Sequence, residues 1–480
     1  MLSRRNAGIA LLATMWLSVT VWYGIVAVAV HTVVVAATAA ILLLCFALPP
    51  HMPLSVRSVV IVMLGWCNDF GDRMTPPKYT VMSEVMGYQK TQLLGIACEL
   101  RVPDALGPDD KSTAAEICGK LNWSSAGAGG AGAAPQHDLV TRERLLFRIM
   151  RALAASGVFC LHKDGTFTHT PTSRVLREDH PESQSAYILA HARINYAPWG
   201  KLLDHLRGGP NPMEAANQGQ SYYTYLTAHP ADNKLLQKKM ESIGKVTNNA
   251  LLRDVQWPEL LTSVRGDGPG VLVDVGGGRG AFLRELLASG PVQAAGTMAV
   301  LVDEEQVVGL AKKELSNDGD DVAVACRGRL AFTSGNFITG TGIPTGGDTY
   351  MLKYVCNDWC DNTVVRIMRN IRAALNPGGR LLVIEQVAPP TGYNGGPFDR
   401  SALSDVDMLV INGGAVRTRA QFEEVAGFAG FKIDRVVDSM GITKVVVCVA
   451  VEGDVPSRPG VPQGVASGAS VADLVAVVPS

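Results

Sequence analysis

No aspartate or glutamate precedes Asp69, and residues 7–49 carry no charged side chain. Tyr23, His31 and Cys45 are the only titratable groups in that run, and all are ordinarily neutral at pH 7. The run is longer than the ~20 apolar residues that one membrane crossing needs. Two closely spaced spans, near 8–28 and 32–50, fit it, and a single long tilted helix is the alternative. Arg4 and Arg5 flank one end and Arg57 lies beyond the other, so a hairpin with both ends cytoplasmic satisfies the charge bias. A secretory or organelle-targeting leader would share the same lack of acids. Residues 1–55 are therefore expected to form a hydrophobic membrane segment. Val59 to Trp66 is apolar but too short to span.

Two further deficits narrow the function. Lysine plus arginine number 43 against 44 acids, a net charge of −1, so the whole chain has no bias toward polyanions. The 9 cysteines are odd in number, scattered, and form no C-x-x-C pair, which argues against a disulfide framework and for a reducing compartment. Cys356 and Cys360 stand in a C-x₃-C pair with no histidine or second pair nearby, so no metal is expected there.

What is present divides into two styles. Residues 78–250 read as mostly helical, with apolar positions at helical spacing from Val81 onward. A Gly/Ala-rich insert interrupts them near 124–135. A helix through R-L-L-F-R-I-M-R-A-L-A-A ends at a Ser-Gly cap, and V-F-C-L-H-K-D-G-T-F-T-H then carries Asp-Gly between alternating runs, a hairpin signal. Helices followed by a small hairpin make a winged-helix pattern. Arg142, Arg144, Arg148 and Arg151 on the last helix suit a solvated or interface face better than a nucleic-acid face. From about residue 255 to 452 strands and helices alternate, which predicts a mostly parallel α/β sheet. F-K-I-D-R-V-V and T-K-V-V-V-C-V-A close it as an antiparallel hairpin. Residues 453–480 are rich in proline, glycine and serine and read as a disordered tail.

Asp274-Val-Gly276-Gly-Gly278-Arg-Gly280-Ala281 falls on a strand-to-helix turn. Gly276, Gly278 and Ala281 fit the dinucleotide pattern G-x-G-x-x-G/A. Asp274, Gly276, Gly278 and Gly280 fit D-x-G-x-G-x-G, the loop of enzymes that use S-adenosylmethionine. Charge separates the two. A pyrophosphate at the helix N-terminus would be repelled by Asp274, whereas an ammonium and a sulfonium suit an acidic strand end. Asp303 closes the next strand, where a carboxylate accepts the ribose hydroxyls of either ligand.

V-D-V-G-G-G-R-G-A, L-V-D-E-E-Q-V, S-G-N-F-I, M-L-K-Y-V-C-N-D-W-C-D, L-N-P-G-G-R-L-L-V-I-E-Q-V and G-G-A-V-R-T-R-A-Q-F-E-E-V-A-G-F-A-G-F follow in order. Together they resemble the plant-type small-molecule O-methyltransferases, the group with caffeate and hydroxyindole O-methyltransferases. The likeness runs from about residue 80 to 452. It implies a class I methyltransferase Rossmann-like sheet, a winged-helix dimerisation domain, a homodimer and S-adenosylmethionine as cofactor. By the same resemblance Gly276 meets the methionine end and Asp303 the ribose. Asn336 and Phe337 stand where the family has an acidic and a hydrophobic residue around the adenine, and Lys353 contacts the cofactor. Trp359 stands near the adenine or plugs the core.

The departures fall on the chemistry. The family's histidine base in H-D-W is Asn357 here. One carboxylate that orients the base is present as Glu385; the other, before R-T, is Val416. Asn357 cannot titrate, and general-base help is typically worth ~10²–10⁴-fold. An acidic acceptor hydroxyl needing no base, or Asp358 or Glu385 acting as base, would restore transfer. The resemblance implies an O-methyltransferase acting on a small, aromatic or lipophilic hydroxyl compound, and the uncharged N-terminal run adds the expectation of a membrane anchor with the catalytic domain in the cytoplasm, organelle targeting being the alternative. The rival expectation is a cofactor-binding dimeric scaffold without turnover. His191 reads as a surface or capping residue, with a place in a substrate pocket as the alternative.

Overall fold

The computed structural model describes residues 75–123, 138–266, 269–317, 319–390, 400–439 and 442–476. The expected membrane segment 1–55 and the Gly/Ala insert near 124–135 lie outside the described residues. Among the described residues no helix is long and apolar enough to cross a membrane. The chain divides into two compact units, residues 1–85 with 394–399, and residues 86–393 with 400–480. In the first, Pro77–Val85 is a helix with no buried residue. All that follows concerns the second.

Its N-terminal part packs the helices Gly87–Glu99, Ala114–Lys120 and Leu139–Ala155 against a three-stranded sheet of β1 (Ser112–Thr113), β3 (Thr166–His169) and β2 (Phe159–Leu161), in that order. The Asp-Gly hairpin forms as expected: β2 pairs antiparallel with β3 across Lys163-Asp164-Gly165, where Gly165 takes φ 82°. Gly157, at φ 76°, ends the 139–155 helix. Leu106, Ile117, Met150 and Phe167 form the core between them, each fully buried. Two of the four arginines lie over rings, Arg142 on Trp123 and Arg151 on Phe147.

The C-terminal part is a seven-stranded sheet in the order β6-β5-β4-β7-β8-β10-β9. β4 (Val271–Val275), β5 (Met298–Asp303), β6 (Leu330–Ser334), β7 (Gly347–Lys353) and β8 (Leu375–Gln386) run parallel. β10 (Thr443–Ala450) and β9 (Phe431–Val437) add the antiparallel edge. β4 reads V-L-V-D-V without alternation because both faces of a central parallel strand are covered. One face packs on Ile367, Met368 and Phe422, the other on Trp257, Leu283 and Leu286. The N-P-G-G break is absorbed into the start of β8 as a register shift opposite Gly347 and Thr349.

The tail differs from expectation. Residues 453–476 are placed along the domain and end in the helix Val471–Ala476, with Val471 buried. Arg369, on the helix Asp361–Ala374, donates to the carbonyls of Pro456, Val461 and Pro462. Val465 N–H donates to Asn370 Oδ1 at 2.9 Å, and Val471 N–H to Thr345 O at 2.9 Å. The glycines that suggested disorder do the opposite. A Cβ on Gly464 would collide with Arg369 O, and one on Gly468 with Ile343 O, so only glycine lets this segment lie flat on its neighbours.

Candidate active site

Parallel strands β4, β5 and β7 end on one side, and the turns that follow them carry the site. After β4 the chain takes left-handed conformations at Gly276 (φ 72°), Gly278 (φ 59°) and Gly280 (φ 76°). A Cβ on Gly276 would press on Phe337 and Val355, and one on Gly277 would strike the Asp274 carboxylate. Asp274 itself is 2% exposed, and its Oδ1 is buried without a hydrogen-bond partner. Burial pushes its carboxyl up to about 7; the Lys353 cation opposes this and Asp303 adds to it. At the end of β5, Asp303 accepts from Gly278 N–H through Oδ2 and from Glu304 N–H through Oδ1, both at 2.8 Å. The loop after β4 is thereby tied to the end of β5.

Lys353, the last residue of β7, points its ammonium at the rings of Tyr354 (4.5 Å) and Phe282 (5.2 Å). Burial pulls it down to about 8 against the attraction of Asp274 and Glu385. Phe337 touches the glycine loop and meets Trp359 edge-on, centroids 6.4 Å apart. Asn336 behaves differently from its neighbour. Its Oδ1 accepts the N–H groups of Ile338 and Thr339, so that oxygen is committed to shaping its own loop.

Tyr354, at φ 55°, turns the chain out of β7 into the short 3₁₀ turn Cys356–Asp358. Asn357 is buried and its Oδ1 has no partner. Glu385 is fully buried beneath it. Its Oε1 accepts from the backbone N–H of Cys356 (2.8 Å) and of Asn357 (3.3 Å), and its Oε2 has no partner. Burial, with Asp358 nearby, pushes the Glu385 carboxyl up to about 8. Val416 is buried and donates its N–H to Asp405 Oδ1 at 2.8 Å.

Sequence reading missed several groups here. Arg417, 1% exposed, donates to Cys356 O, Trp359 O and Asp361 Oδ1, at 2.7 to 2.9 Å. It fixes both ends of the turn. Asp358 accepts from Tyr223 Oη at 2.6 Å and from Asn412 Nδ2 at 2.8 Å, and Tyr223 stacks on Trp359. His191, expected as a surface or capping residue, caps the helix Ser185–Ala190, its Nδ1 2.9 Å from Tyr187 O. It opens a π-helical turn, His191–Asn195, and its Nε2 stands 3.9 Å from Asp407 Oδ2. Asp407 also accepts from Asn195 Nδ2 (3.1 Å) and Trp199 Nε1 (2.9 Å). Lys239, on the helix Pro230–Asp254, is buried beside them. Asp-Trp after Asn357 and Arg before Thr418 were the local signals available; Lys239 and Asp407 had none. Cys356 and Cys360 differ in setting, one buried and one exposed. Among the described residues no group of side chains has metal-holding geometry.

Comparison with known proteins agrees with this arrangement. The O-methyltransferase dimerisation domain matches residues 82–179, and the O-methyltransferase domain matches 199–432, which takes in Lys239 and Asp407. The O-methyltransferase SfmM3 of Streptomyces lavendulae is 32% identical over 298 residues, 62% of this chain and 82% of its own. The phenazine O-methyltransferase PhzM of Lysobacter antibioticus is 28% identical over 75% of this chain and 93% of its own. The solved structure of CalO1, a methyltransferase in calicheamicin biosynthesis in its SAH-bound form, superposes with a TM-score of 0.58. It is 28% identical and covers 78% of this chain and 98% of its own. With its glycine loop, its acid-ended strands and these relatives, the chain belongs to the O-methyltransferase family, whose methyl donor is S-adenosylmethionine.

Proposed function

We propose that the chain, as a homodimer, transfers a methyl group from S-adenosylmethionine to the hydroxyl of a small aromatic compound without a histidine base. The observation that carries this is the Asp274 carboxyl: buried, with an unpartnered oxygen, beside glycines that let a ligand reach the backbone. A ligand bearing an ammonium and a sulfonium fits such a group, and a pyrophosphate does not. When bound, the cofactor supplies an electrophilic methyl on sulfur. Gly276 and Gly278 give its methionine end room. Asp303 is the acceptor for the ribose hydroxyls, Phe337 and Trp359 flank the adenine, and Lys353 balances the Asp274 charge.

Asn357 positions the acceptor oxygen through its carboxamide, whose Oδ1 is unpartnered and whose Nδ2 can donate, but it cannot take a proton. Glu385 holds the turn by accepting its N–H groups in place of steering a histidine. Rate acceleration then comes mainly from holding the acceptor oxygen in line with the methyl carbon. The same observation favours a second acceptor class, an amine, which attacks before it loses a proton. The uncharged run 7–49 supports attachment to a membrane; release of the full chain by alkaline carbonate would count against it. The test of the main reading is calorimetry of S-adenosylmethionine on the full chain, followed by mass spectrometry of products from a panel of phenols and anilines. Saturable binding and a methyl ether are expected. No heat at millimolar ligand sinks the proposal.

A further inference from the structure

We propose that Lys239 is the charge partner of an anionic acceptor, so that this site selects acidic hydroxyl compounds and binds them as oxyanions. This rests on the transfer reading above and names its substrate class. Lys239 is 9% exposed, yet among the described residues its ammonium forms no hydrogen bond and no ion pair. Its one close partner is the face of Tyr187, 5.6 Å away. The stem is buried, while the ammonium opens on solvent-accessible space with its three donors unused, where an anionic ligand can meet them.

The groups around it are already committed. Asp358 is taken by Tyr223 and Asn412, and Asp407 by Asn195 and Trp199 with His191 alongside. Both carboxylates attract Lys239 at longer range without touching it. Burial pulls the ammonium below the usual lysine value, and burial with Lys239 lowers His191 as well, so the imidazole does not compete as a second cation. Tyr187, on the helix Ser185–Ala190, and Tyr223 are kept un-ionised by burial. Lys239 is therefore the cation within electrostatic reach of Asp358, the residue after Asn357, where the proposed function places the acceptor oxygen.

This placement replaces the missing base. A cation beside the acceptor lowers the hydroxyl's pKa, and the proton leaves to water on binding. The acceptor oxyanion then forms the new carbon–oxygen bond as the methyl–sulfur bond breaks, its electron pair staying on sulfur. An anion and a sulfonium become two neutral products, and no side chain moves a proton during transfer.

The test uses 4-nitrophenol, whose phenolate is coloured, with the full chain and S-adenosylhomocysteine, so that nothing turns over. The wild-type protein should lower the chromophore's titration midpoint by about one pH unit. Lys239→Met should abolish that shift and Lys239→Arg should keep it, with cofactor affinity unchanged in both. An unshifted midpoint in the wild type, an equal shift in K239M, or no binding of 4-nitrophenol overturns the proposal. Should K239M fail to fold, the wild type alone decides. It should bind 4-nitrophenol about tenfold tighter than the neutral 4-nitroanisole, roughly the effect of one well-placed charge contact, and equal affinity overturns it. These outcomes leave the transfer reading standing, because cofactor binding is measured separately.

Discussion

The two halves of the site are built by opposite means. The cofactor half is centred on backbone: left-handed glycines, strand ends and two aspartates within residues 274–303, with Phe337, Lys353 and Trp359 added from further along the chain. The proposed acceptor half is side chains gathered from five distant segments, around Tyr187, Tyr223, Lys239, Asp358 and Asp407. A backbone site is written in consecutive residues and tolerates little change. A side-chain site can exchange its base for an asparagine while the cofactor loop stays intact. The departures at Asn357 and Val416 both lie in the acceptor half.

Breaking each half separately should expose this difference. The largest effect is expected from Arg417→Ala, which removes a fully buried guanidinium from three acceptors on the acceptor turn. A loss of about 2–4 kcal/mol in urea unfolding is expected, chiefly from leaving the buried Cys356 and Trp359 carbonyls without a donor. Next, Gly277→Ala drives a methyl into the Asp274 carboxylate. A cost of about 1–3 kcal/mol is expected, with cofactor affinity by calorimetry falling far more than phenol affinity.

Gain is the sharper comparison. Asn357→His restores a base above Glu385 but not the second acid, since residue 416 stays valine. About a tenfold rise in kcat/KM is expected for weakly acidic phenols, below the full range for a general base, and little change for acidic ones. A rise of equal size for both would argue that proton removal is not what Asn357 gave up.

The smallest effect concerns pH. Glu385 has a raised carboxyl pKa, from 4.5 to about 8, so the folded state holds a proton that the unfolded chain releases. Stability from this group is full below about pH 4.5 and falls as pH rises toward 8. Urea midpoints across that window should decline less in Glu385→Gln than in wild type. Parallel curves would mean that Glu385 is ionised in the folded chain.

The cofactor half was legible in the sequence because its chemistry is local. V-L-V-D-V followed by glycines fixes strand, turn and acid in one reading, and the structure puts them together. The turn at Asn357 was legible through its neighbours. Lys239 and Asp407 were not, because a lysine and an aspartate on amphipathic helices look like solvated residues until packing turns them inward. His191 takes the capping role expected of it, on Tyr187 O. Asn336 was placed in the right loop, but its carboxamide oxygen serves that loop. The tail was misread because glycine permits both disorder and close packing, and composition does not say which. Gly464 and Gly468 show the second.

Arg417 has a consequence for how the enzyme's pH behaviour should be understood. Around the turn it holds stand carboxyls and a lysine whose charges change within the ordinary range. The guanidinium does not change, because no accessible pH discharges arginine. The frame that positions the acceptor therefore keeps its shape while the groups hung on it gain and lose protons. A pH profile of this protein should report protonation events at a fixed scaffold, shared between Asp274, Lys353 and Glu385 because these groups act on one another.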